Sequence, residues 1–176
     1  MLLSVPKTKV RSGSDLEKEV AYLINEKDYM FVNQWMLNQG ADMADILDFI
    51  VRFCSFLWLE ARYRIVDSGV TLSFGGDAWL IVASESLRLM FVRDRGQLFL
   101  DFQGPTSPSR EWYSVDVVYR LLTGDRRDSA ELDEEYASFV SERLLDIERS
   151  FSNAHMPETK KRLVALERLR AKELFG

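Results

Sequence analysis

Between residues 46 and 103 the spacing of apolar residues changes from helical to alternating, and the alternating part is cut by three short polar links. That succession constrains the fold more than any other feature of the chain. Ile46, Leu47, Ile50, Phe53, Cys54, Leu57, Trp58 and Ala61 recur at helical spacing, and Val51, Phe56 and Leu59 widen the stripe almost all round. This predicts a central helix that begins at Asp42 or Asp45 and runs to about Tyr63. After Gly69 the period becomes two: Val70, Leu72 and Phe74 alternate with Thr71 and Ser73, and Gly75-Gly76 supplies the positive φ of a tight turn. Ala78 to Ala83 is apolar on both faces, as an interior strand requires. Leu87, Leu89 and Phe91 form the next strand, and Asp94-Arg95-Gly96 turns the chain into Leu98, Leu100 and Phe102. Short links between successive strands give an up-and-down antiparallel meander of about four strands. Arg62 to Val66 reads either as an extra edge strand or as the end of the helix.

Helical signals flank the meander. Residues 1–13 are polar and basic without a period and are expected to form a flexible arm. Ser14-Asp15-Leu16-Glu17 has capping-box form and opens a helix to about Asn25, and a second helical stretch runs from Asp28 to Gly40. The loop Gly104 to Ser109 leaves the sheet. Ser114 then caps a short helix ended by Gly124, and Asp128-x-x-Glu131 opens a longer one. In that helix Leu132, Tyr136, Phe139, Val140, Leu144, Ile147 and Phe151 face inward. Pro157 starts a last helix carrying Leu163, Leu166 and Leu169. The expected fold is α+β: a single domain over 14–176, helical over 14–63, a meander over 64–103, and helical again over 114–174.

A chain of 176 residues with 47% hydrophobic side chains has enough apolar surface for a core without staples. Its one cysteine, Cys54, lies in an apolar run, which predicts a buried thiol and a reducing, cytoplasmic setting. The start of the chain predicts no targeting segment, and Ile46 to Leu59, interrupted by Asp48 and Arg52, is too short to cross a bilayer. Net charge is −5. The centre is acidic and the ends basic, with every lysine at 7, 9, 18, 27, 160, 161 or 172, so the centre disfavours nucleic acid.

No residue pattern specifies catalysis, a metal or a cofactor. His155 is the single histidine and falls in a link, no serine sits in a G-x-S-x-G elbow, and no paired-cysteine motif occurs. Asp42, Asp45 and Asp48 imitate a carboxylate cluster, but acids at a helix start meet its dipole, and Arg52 stands four residues after Asp48. Asp101-Phe102-Gln103 has an acid-x-polar form, yet the lysine such metal-dependent nucleases use is missing from the centre. The basic carboxy-terminal helix reads as solvated, or as docked on the acidic cluster Glu131, Asp133, Glu134 and Glu135. Trp112-Tyr113 beside Arg110 follows a loop and combines the residue types that dominate binding hot spots.

The long helix, Val70 to Phe74, Gly75-Gly76-Asp77-Ala78-Trp79, Leu87-Arg88-Leu89, Val92 to Leu98 and the acidic helix from Asp128 together resemble small bacterial α+β proteins of uncharacterised function. In general shape the chain also resembles immunity proteins of bacterial toxin systems, and the likeness spans about residues 42–152. The resemblance implies an acidic domain that acts by binding another protein. The expectation is therefore a non-enzymatic protein-binding module with a basic protein partner. Arg110, Trp112, Tyr113, Glu131, Glu134 and Glu135 are its contact residues. A carboxylate-based hydrolase or nuclease and a structural homo-oligomer are the alternatives, and the apolar excess of the central helix predicts a dimer.

Overall fold

The computed structural model describes residues 42–59, 62–71, 77–107 and 111–176, all within one compact unit, Gln39–Gly176. The expected arm, the helices before Gly40, the strand end at Leu72 and Phe74, the Gly75-Gly76 turn and Arg110 lie outside the described residues. A helix over 42–53, α1, is followed by the short α2 (Phe56–Leu59). Five strands come next: β1 (Arg64–Thr71), β2 (Asp77–Ala83), β3 (Arg88–Asp94), β4 (Gln97–Gln103) and β5 (Tyr113–Ser114). The chain ends in α3 (Val115–Thr123), α4 (Glu134–Phe151) and α5 (Met156–Phe175).

The sheet is an antiparallel meander in the order β1-β2-β3-β4-β5, so the fold is α+β as expected, with a fifth, two-residue strand added. Arg95 and Gly96 both take positive φ, 48° and 87°, which a two-residue hairpin turn demands. Register sets the core. Leu80, Phe91 and Leu100 form one cross-strand row, and Val82, Leu89, Phe102 and Tyr113 form the next. All seven are buried, and Val118, Tyr136, Ile147, Phe151 and Leu163 from the three carboxy-terminal helices complete the same cluster. Phe151 packs its ring 6.1 Å from Phe102 and 6.2 Å from Tyr113.

Three boundaries differ from the sequence reading. The central helix does not run to Tyr63: it breaks at Cys54 and Ser55, where Leu57 N–H and Trp58 N–H bond three residues back, to Cys54 O and Ser55 O. No glycine or proline marks the break. The tighter turn keeps both Cys54 and Leu57 in the core while the chain bends toward β1. The strand after it begins at Arg64, not Val70, so Arg62 to Val66 is its approach and first residues rather than the end of the helix. Gly69 is an interior strand residue paired with Trp79, whose ring occupies the space a Cβ would take. A bulge between Ile65 and Asp67 offsets the register and leaves Ile65 and Val66 exposed on the edge strand.

The third difference is at α4, which starts at Glu134 instead of Asp128. Leu132 N–H is drawn to Leu98 O at 2.7 Å, which pins the preceding segment to the sheet. Asp133 then serves as N-cap, accepting from Tyr136 N–H at 2.9 Å. Gly124, at φ 83°, ends α3 as expected.

Candidate protein-binding face

The first turn of α4 gathers acid for a local reason: Glu134 and Glu135 lie where the helix amino-terminal dipole favours negative charge. Behind them stands Arg127, which forks its guanidinium onto Asp133 at 3.1 and 2.7 Å and reaches Glu135 at 2.9 Å. It also lies 4.0 Å from the Tyr136 ring centroid, and the Tyr136 hydroxyl donates to Ser129 O at 2.7 Å. Partial burial works against ionisation of Asp133, but the bonds from Arg127 and Tyr136 N–H prevail and hold its carboxyl below the ordinary value. Glu131 is engaged as well, accepting from Gln97 Nε2 at 3.1 Å.

Beside this turn a shallow groove of about 480 Å³ runs between α3 and α4. Tyr119 and Phe139 line it, their rings 4.9 Å apart in edge contact, and Glu134, Glu135 and Glu142 stand along it with Ser138 between them; Thr123 and Arg143 complete the lining, the Arg143 guanidinium being paired with Asp146 at 2.8 Å. Exposed carboxylates beside an aromatic floor are suited to a lysine or arginine whose stem packs on the rings.

The expected contact residues are thus divided. Glu134 and Glu135 border the groove, and Glu131 lies on the sheet side through Gln97. Tyr113 is 4% exposed and belongs to the core, a correction to its reading as an exposed anchor: pairing with Phe102 turns its ring under the sheet. Trp112 is half-buried with Arg88 5.4 Å from its ring centroid, and Arg88 in turn donates to the buried Gln103 at 2.7 Å. Tyr113 meets Phe151 at the far end of α4, about 25 Å along the helix from Glu134, so the acidic turn and the loop aromatics do not form one patch. Tyr119, Phe139 and Glu142 also line the groove, and the sequence reading did not group them with the acids because the groove depends on how α3 lies against α4.

Other constellations resolve into structural roles. Asp48 pairs with Arg52 at 3.0 Å as expected, and Arg93 binds Asp45 at 2.8 Å with Asp42 at 4.0 Å. Burial pushes the Cys54 thiol up to about 12, so it remains neutral. Ser152 donates to Arg149 O at 2.7 Å and lies 3.1 Å from Nδ1 of the exposed His155, an arrangement that closes the end of α4. The basic helix α5 does not dock on the acidic cluster. Arg170 binds Asp116 at 2.9 Å, Lys160 binds Glu111, and Arg120 and Arg126 take up Glu173. Among the described residues no group of three or more histidines, cysteines or acids is placed to hold a metal ion, and no helix is long and apolar enough to cross a membrane.

Fold and groove together define an α+β protein in which an open antiparallel meander carries a layer of helices, with an acidic face on that layer. No protein-family model, curated protein or solved structure matches the chain.

Proposed function

We propose that the chain is a non-enzymatic protein-binding module that engages a basic protein partner through the groove between α3 and α4. One observation carries the reading: Glu134, Glu135 and Glu142 border an aromatic-floored groove whose shape and charge suit a segment with lysine or arginine beside an apolar residue. Acidic groups on the rim steer such a partner, and the rings hold it once water is excluded. An immunity-like role, in which the partner is a toxin, is one form of this proposal, and the buried thiol of Cys54 fits a cytoplasmic setting.

Display selection from a random peptide library tests it. The expected consensus has basic residues flanking an apolar one, and the variant E134K/E135K/E142K loses the selected peptides by about tenfold or more while its circular dichroism is unchanged. Binders without basic residues, or binders that the variant retains, overturn the proposal.

A further inference from the structure

A cavity of about 60 Å³ lies between α3, the link that follows it and α5, and it shares no lining residue with the groove. Four arginines stand around it, Arg120, Arg126, Arg127 and Arg170, against three carboxylates, Asp116, Asp128 and Glu173. Two of the arginines are committed: Arg127 to Asp133 and Glu135, and Arg170 to Asp116 and Ser114. The other two converge on Glu173. Arg120 holds both of its oxygens in a fork, at 3.0 and 3.1 Å, and Arg126 approaches one of the same oxygens at 3.4 Å.

Arg120, in the last turn of α3, answers the negative end of that helix. Arg126 lies beyond the helix, its side chain is 44% exposed, and it makes no hydrogen bond to any described residue. Its other ion contact, to Asp128 at 3.8 Å, is with a carboxylate fully open to water and contributes little. Two guanidiniums therefore share one carboxylate, and a single negative charge leaves Arg126 poorly matched. A group with two negative charges and three acceptor oxygens suits both.

The carboxylate in place is also displaceable. Glu173 lies in the last turn of α5, where the helix dipole opposes a negative charge. Leu169 and Leu174 beside it are 41% and 57% exposed, so ion pairs more than apolar burial hold this end of α5 to α3. The bonds from Arg120 outweigh desolvation and keep the Glu173 carboxyl below its ordinary value, so at neutral pH it stands between the two arginines as an anion.

We propose that Arg120 and Arg126 form a site for a phosphate dianion, free or as the head of a small ester, which Glu173 fills until the ligand displaces it. The adjoining cavity has room for the phosphate group, and Arg170 keeps the preceding turn of α5 on Asp116 when the last turn is released.

Calorimetric titration of the full chain with inorganic phosphate at about pH 8, against chloride of matched ionic strength, is the test. Weak millimolar binding is expected, because Glu173 competes at high effective concentration. E173Q keeps the shape of the side chain and removes the competing charge, so it binds phosphate about tenfold more tightly. R126Q weakens binding about tenfold, both alone and in the E173Q background. Methyl phosphate in the same titration separates the sources: tighter binding than inorganic phosphate identifies an ester, weaker binding the free ion. Circular dichroism establishes that each variant is folded, and R126Q breaks no hydrogen bond, so its loss of binding reads the site even if E173Q loosens α5. No phosphate binding by E173Q, equal affinity in E173Q and the parent, or binding indifferent to R126Q overturns the proposal.

Discussion

The phenol of Tyr63 donates a 2.5 Å hydrogen bond to Oε1 of Glu148, a carboxylate 85 positions later in the chain and only 7% exposed as a residue. Arg62, the neighbour of Tyr63, adds bonds of 3.1 and 2.9 Å to the two oxygens of the same carboxylate. The stretch between α2 and β1 is thereby tied to the last turn of the core helix α4. Burial first, and the Glu148 contact second, push the Tyr63 phenol above its ordinary value, so it remains a donor through the physiological range.

Removing the carboxylate strands both partners. Glu148→Ala is expected to cost about 2–3 kcal/mol, less than a wholly buried pair because the Arg62 side chain is 40% exposed, and Tyr63→Phe about 1–2 kcal/mol. Urea unfolding at neutral pH measures both. In the Glu148→Ala background, Tyr63→Phe should cost almost nothing, and full additivity of the two losses would contradict the coupling.

Asp101 is expected to weaken the protein as pH rises. Burial, then the nearby charge of Asp116, push its carboxyl up to about 6, with Arg170 opposing them. A folded pKa above the unfolded one means that the proton is held more tightly in the fold. The penalty is absent below about pH 4, grows between 4 and 6, and is complete above 6. Asp101→Asn should match the parent near pH 4 and exceed it by about 2 kcal/mol at pH 7. Stability curves across that range that run parallel would disprove this.

Gly69 is required by the Trp79 ring and not by a turn. Gly69→Ala forces the ring aside and is expected to cost about 1–3 kcal/mol. In a Trp79→Val background the same change should cost nothing, since alanine otherwise suits a strand better than glycine. Thermal melts of the four proteins distinguish this steric cause from a requirement of backbone conformation, which the valine would not relieve.

Trp112→Ala is expected to lower stability by about 1 kcal/mol through loss of the Arg88 contact, while leaving the binding of groove-selected peptides unchanged. Peptide titration alongside a chemical melt reads both effects. Loss of binding with full stability would return the loop aromatics to the contact surface.

The sequence by itself determined the sheet and much of the core. Alternation at Leu87, Leu89 and Phe91 and at Leu98, Leu100 and Phe102, the apolar run of β2 and the Asp94-Arg95-Gly96 turn are local signals, and each strand they define lies in the meander. The inward residues of α4 were equally legible, because a 3.6-residue period survives a six-residue error in where the helix starts. The Glu134 and Glu135 acids were visible for the same local reason. Only the tertiary structure decided the rest. Cys54 and Ser55 carry no helix-breaking residue, so the break in the central helix answers the path into β1. Asp133 replaces Asp128 as the cap because Leu132 bonds to β4. Tyr113 reads as a loop aromatic in the chain but becomes core once paired with Phe102, and Tyr119 meets Phe139 only through the packing of α3 on α4. Local propensity and periodicity act within a few residues. A buried carboxylate held across 85 positions, or a groove between two helices, depends on contacts that no short window of the chain contains.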